Sequence, residues 1–168
     1  TWFQLGDKDL VQHVQRQFLL QQGRTLSDVT SQMAASLGIA PAIVPMCDQN
    51  VRTIVETEQG HLAFQHYFVR EQCAPNVIGI RFDGAAEAKP SPEFDQALND
   101  PNLTGIIICP SNPFVSIGPI LSLPGLKERL STLSAPVIAV SPIIGGKALK
   151  GPTAKMMKEL GLEISPIG

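Results

Sequence analysis

The spacing of apolar positions changes along the chain, and with it the predicted element. Leu10, Val11, Val14 and Phe18 recur at helical intervals, with Gln12, Arg16, Gln17 and Gln21 on the other face. A first helix is predicted there, N-capped by Asp7 and closed by Gly23. Thr25-Leu26-Ser27-Asp28 reads as a capping box with Asp in place of Glu; Val29, Met33 and Leu37 then line a second helix that Gly38 ends. Residues 43–46 and 51–57 are β-prone around the polar turn Cys47-Asp48-Gln49-Asn50. After Gly60, the positions Leu62, Phe64, Tyr67, Phe68 and Val69 predict a helical segment, and residues 77–82 alternate as a strand. A loop over 84–92 leads into a short helix at 93–98. Residues 106–109 and 137–140 are unbroken apolar runs, expected of strands buried on both faces of a parallel sheet. Their separation, roughly thirty residues, suits a strand–helix–strand unit, with helices at 117–121 and 126–133. Gly151-Pro152 opens a last helix with Ala154, Met157 and Leu160 inward, and residues 163–165 begin another strand.

Strands alternating with helices after residue 76 predict an α/β fold, a Rossmann-like three-layer parallel sheet with a small helical subdomain. Residues 1–75 form the mainly helical subdomain and residues 76–168 the Rossmann-like portion. No strand–Gly-rich loop–helix opens the chain, so the first βα unit of such a sheet is expected upstream of Thr1.

Composition narrows the chemistry. Among 168 residues, 43% are hydrophobic and 17% charged, which indicates a buried core and excludes a disordered chain. A net charge of −2 gives no electrostatic reason for a nucleic-acid partner. No apolar run approaches a membrane span. Cys47, Cys73 and Cys109 fit neither a disulfide framework nor a zinc motif, which favours the reducing cytoplasm. Cys109, inside an apolar run, reads as inert core, and His13, His61 and His66 as surface or packing residues.

Two loops follow the two apolar runs, at the strand ends where open α/β sheets bind ligands. Ser111, Asn112 and Ser116 can hydrogen-bond a base or ribose, or merely cap the turn between Pro110 and Pro113. In the second loop, Ser141 to Lys147, the paired Gly145 and Gly146 allow consecutive amides to face one anion. Lys147 and Lys150 add charge, and the start of the last helix adds a dipole. The alternative is a plain Gly-Gly turn with solvated lysines. Asp7, Lys8 and Asp9 mix signs at a helix start, and Trp2 offers a stacking face.

Taken together, Trp2-Phe3-x-Leu5-Gly6-Asp7-Lys8-Asp9-Leu10, Pro45-Met46-x-Asp48, Phe64-Gln65-x-Tyr67-Phe68-Val69, the run Pro110-Ser111-Asn112-Pro113-Phe114-Val115-Ser116-Ile117-Gly118-Pro119, Ser141-Pro142-Ile143-Ile144-Gly145-Gly146 and Lys150-Gly151-Pro152 resemble the 2-phospho-L-lactate transferase family of coenzyme F-420 biosynthesis. The resemblance spans nearly the whole chain. It implies transfer of a phospholactyl-type group from a guanosine-diphosphate-linked donor to a deazaflavin acceptor (7,8-didemethyl-8-hydroxy-5-deazariboflavin), releasing GMP. By position it implies that Ser111, Asn112, Ser116, Ser141, Ile143, Gly145, Gly146 and Lys147 hold the nucleotide, and that Trp2, Asp7 and Lys8 face the deazaflavin. The family usually has arginine where this chain has Lys8, so the charge stays but the bidentate fork is lost. Magnesium is implied, with its ligands and the first Gly-rich loop expected upstream of Thr1. No catalytic base stands out, and a homodimer is allowed. The competing expectation is a non-enzymatic regulator of related fold that binds a nucleotide or nucleotide-sugar.

Overall fold

The structure, a computed structural model, describes residues 2–148 and 151–166. Two compact units emerge from the contacts. One comprises residues up to Gln49 with Ala88–Asn102; the other comprises Asn50–Glu87 and the residues from Leu103 onward. The chain passes between the units three times, and residue 75 lies within the second.

In the first unit, helix α1 (Asp7–Gln21) packs on α2 (Leu26–Ser36). Thr25 caps α2 as its sequence predicts, its hydroxyl accepting the Asp28 amide at 3.1 Å. Asp48 adds to that end, its Oδ1 accepting the Ser27 amide at 2.8 Å. Asp7 is not the N-cap of α1; Gly6 occupies that place without a side-chain bond, and Asp7 is the first helical residue. The face of α1 is reversed from the expected one. Leu10 and Phe18 are 53% and 58% exposed, as are Val11 and Val14 to a similar degree, while Leu19 packs with Val29 and Met33. Residues 43–46 form no strand but an extended segment, tied to α3 (Pro92–Leu98) where Ser91 Oγ donates to the Pro45 carbonyl at 2.7 Å.

The second unit holds an antiparallel three-stranded sheet in the order β2-β1-β3, from β1 (Arg52–Thr57), β2 (Gly60–Ala63) and β3 (Val77–Asp83), with β1 central. The segment expected to be helical from Leu62 is split: Leu62 pairs with Val55 as part of β2, and a π-helical turn, His66–Arg70, follows and buries Tyr67. Tyr67, Val55, Val77 and Met156 make the core of this unit. The parallel strands β4 (Ile106–Ile108) and β5 (Val137–Ala139) pair in register, Ile106 with Val137 and Ile108 with Ala139. Between them lie a second π-helical turn (Pro113–Ile117), α4 (Gly118–Leu121) and α5 (Leu126–Thr132). A hairpin of β6 (Ile143–Ile144) and β7 (Lys147–Ala148) precedes α6 (Thr153–Glu159), for which Pro152 is the N-cap residue.

The fold is therefore mixed α/β, and three expectations are corrected. Among the described residues the parallel sheet has two strands, not a three-layer Rossmann set, because β3 pairs antiparallel with β1. The β4–β5 pair is not buried on both faces: Ile107 is 67% and Ile138 56% exposed, and Cys109 lies exposed beyond β4. No strand forms at 163–165.

Candidate functional site

Parallel pairing sends the chain off the same edge at Ile108 and Ala139, so the turns that follow β4 and β5 start side by side. The ladder extends to their first residues, the Val140 amide donating to the Ile108 carbonyl at 3.0 Å. The segment that leaves this edge after β4 carries Ser111, Asn112 and Ser116, and the one after β5 carries Ser141.

Asn112 is the hinge of the first turn. Its Oδ1 accepts the amides of Phe114 at 2.9 Å and Val115 at 3.2 Å, and its backbone is extended where the helical turn begins. Pro113 at the next position fixes φ and gives up no needed donor. The Asn112 Nδ2 points away from those amides to Met156 Sδ, 3.4 Å distant. Its side chain thus shapes the loop instead of projecting from it. Ser111 is half-buried beside it, and Ser116 is exposed on the π-helical turn.

In the second loop, Ser141 Oγ accepts the Ile143 amide at 3.1 Å, a local turn of the kind serines favour. Ile143 is buried in β6, while Lys147 is exposed in β7 opposite Ile144. Gly145 and Gly146 connect the two strands with φ of 57° and 72°. Consecutive left-handed residues are what a two-residue hairpin turn requires. No atom lies within 4 Å of a Cβ added to either. Lys150 lies outside the described residues.

Beside Met156, α6 is tied to the start of β3. Lys155 Nζ donates to the Pro75 carbonyl at 2.9 Å and pairs with Glu159 Oε1 at 2.6 Å; Glu159 Oε2 accepts the Val77 amide at 3.1 Å. Lys155 also sits 5.9 Å from the Tyr67 ring centroid. Burial raises the Tyr67 phenol well above the ordinary tyrosine range, helped by neighbouring Cys73 and Glu159. Burial likewise raises the Cys73 thiol, against the pull of the Lys155 charge. Both stay protonated, so neither is a base or nucleophile at neutral pH. Sequence reasoning singled out none of Lys155, Met156 and Glu159. The Lys155/Glu159 spacing of four residues was the available signal.

The acceptor-side candidates belong to the first unit. Asp7 and Lys8 border a groove of about 350 Å³ between α1 and α2, floored by Val11, Met33 and Leu37. Trp2 is largely exposed and meets Phe3 edge-on at 5.6 Å. A larger hollow of about 890 Å³, between α2, residues 39–45 and α3, contains none of the candidate residues. Among the described residues no three His, Cys, Asp or Glu side chains gather to hold a metal ion. No helix of the described residues is long and apolar enough to cross a membrane.

The sequence profile of the family described as 2-phospho-L-lactate transferase CofD matches residues 1–166. The chain belongs to that family. A 2-phospho-L-lactate transferase from Methanosarcina barkeri is 42% identical over 98% of the chain, and a phosphoenolpyruvate transferase from Kitasatospora aureofaciens 39% identical over 96%. These matches cover 52% and 51% of those proteins, so the chain spans about half the length of the transferase-family relatives it resembles. Among solved structures, protein BH3568 from Bacillus halodurans superposes with a TM-score of 0.61 over 96% of the chain and 54% of its own. At 16% identity that likeness shows a shared fold and nothing more.

Proposed function

We propose that the natural protein carrying this chain transfers a phospholactyl-type group from a guanosine-diphosphate-linked donor to a deazaflavin hydroxyl. In that reaction the acceptor oxygen bonds to the phosphorus bearing the three-carbon acid. The bridging phosphorus–oxygen bond breaks, GMP departs, and the hydroxyl proton passes to solvent. The observation that carries the reading is the shared edge of β4 and β5, where two family-type loops begin together.

The chain's own part is positioning. The paired left-handed glycines Gly145 and Gly146, with open space where a Cβ would stand, suit a turn that faces a diphosphate, and Lys147 adds a cation beside them. Ser111 and Ser116 offer hydroxyls to the nucleoside, while Asn112 sets the course of the loop. The groove beside Lys8 combines an apolar floor with one positive charge, which suits a planar, polar-rimmed acceptor. Phosphoryl transfer depends on such placement and charge neutralisation more than on covalent chemistry by the protein. No step is assigned to magnesium. A cytoplasmic setting accords with three free cysteines.

Calorimetric titration of the natural protein with guanosine diphosphate and uridine diphosphate tests this. Tighter binding of the guanosine nucleotide is expected. A uridine preference would sink the reading and favour a regulator that binds nucleotide-sugars.

A further inference from the structure

Met156 is fully buried, at the centre of the core of the second unit, in the helix that carries the Lys155–Glu159 pair. Phe114 and Val115, the residues whose amides the Asn112 side chain holds, pack against the same core. Asn112 therefore touches two fixed bodies at once. Its carbonyl end grips the π-helical turn, and its amino end meets the Met156 sulfur at 3.4 Å. We propose that Met156 is a positioning residue for nucleotide binding, holding the Asn112 amide in the one orientation that shapes the Ser111-Asn112 turn. The proposal rests on the functional reading above.

The chemistry explains why methionine serves here. An asparagine amide has two ends of nearly equal size and opposite hydrogen-bonding character. Capping requires Oδ1 to face the Phe114 and Val115 amides, which drives the NH2 group toward the core. A leucine at 156 would leave that donor against hydrocarbon, and the flipped amide would lose both capping bonds. A thioether is apolar enough for the core, yet its sulfur accepts weakly. The helix that carries Met156 is held on both sides of it, Lys155 being tied to Pro75 and Glu159 to Val77, and Met156 itself is buried. Thr153, one turn earlier, is buried as well.

The test is a double-mutant cycle on the natural protein, read by guanosine diphosphate affinity and by the side-chain amide NMR resonances of Asn112. Met156→Leu is expected to weaken binding roughly 2- to 10-fold, the factor that the net worth of one hydrogen bond gives. It should shift the Asn112 amide resonances with circular dichroism unchanged. In an Asn112→Ala background the same leucine should add nothing, since its route of action is gone. Selenomethionine, which keeps a polarisable acceptor, should bind as the wild type does. Three results would overturn the proposal while wild-type binding persists: unchanged affinity in Met156→Leu, an equal loss in the Asn112→Ala background, or unmoved Asn112 resonances. Wild-type protein that ignores the nucleotide would instead overturn the functional reading itself, and the proposal with it.

Discussion

Tyr67 is the chain's one tyrosine and is fully buried, so its titration can be read without interference from another phenol. Burial raises its pKa, with Cys73 and Glu159 adding to the shift. The sign follows from linkage: the folded state holds the proton more tightly than the unfolded chain does. This contribution to stability is complete below the ordinary tyrosine value of about 10 and is lost as pH rises through the raised one. Alkaline titration followed in the ultraviolet should show no phenolate band until the chain unfolds, the two changes coinciding. Phenolate appearing in a still-folded chain near the ordinary value would contradict the burial described. Tyr67→Phe should abolish the band and leave the alkaline unfolding less steep. At the same scale, Asp83 shows the opposite direction: hydrogen bonding to Arg81 holds its carboxyl below the usual range, on an exposed surface far less consequential for folding.

At the scale of elements, the β6–β7 hairpin makes a separable case, because space around its glycines is open and only their φ constrains them. Gly145→Val should therefore cost about 1–3 kcal/mol through backbone strain alone. Gly145→Asn, which tolerates the left-handed region, should cost less. Thermal unfolding and nucleotide titration of both variants check this. Equal stability of the two would remove the strain argument, and unchanged nucleotide affinity in a folded Gly145→Val protein would reduce the loop to a turn. The elements themselves were largely legible: Thr25 capped α2, β3 and α3 appeared within a residue of expectation, and the Gly-Gly pair marked its turn. Local signals of that kind depend on neighbours in sequence. What sequence could not show was which face of α1 is covered, since Gln12, Gln15 and Leu19 turn inward while Leu10, Val14 and Phe18 do not. Periodicity locates a stripe but not its partner. Strand partners were hidden for the same reason: nothing in the alternation of residues 77–82 tells antiparallel pairing with β1 from a place in a parallel sheet. Of the candidate site, the two loops were legible from their Pro, Ser and Gly content. The Asn112–Met156 contact was not, being a pairing across 44 positions.

Over the whole chain, family membership and the two units tell a consistent story about where precision is needed. The edge shared by β4 and β5 depends on a ladder of three residue pairs, and both outer sides of that ribbon carry no further strand among the described residues. Ile107, Ile138 and Val140 stand exposed on it, β-branched and uncharged. Such a ribbon is a template for another copy of itself. Prepared by itself, the chain should scatter light increasingly as it is concentrated, and Ile138→Lys should raise the concentration at which this begins while leaving the circular dichroism spectrum intact. A lysine variant that clouds at the same concentration would place the stickiness elsewhere, the exposed stripe of α1 being next in line. The short ribbon that brings two loops together is thus also the chain's least colloidally tolerant part, and how concentrated a solution it survives becomes a readout of whether those isoleucines are sheltered.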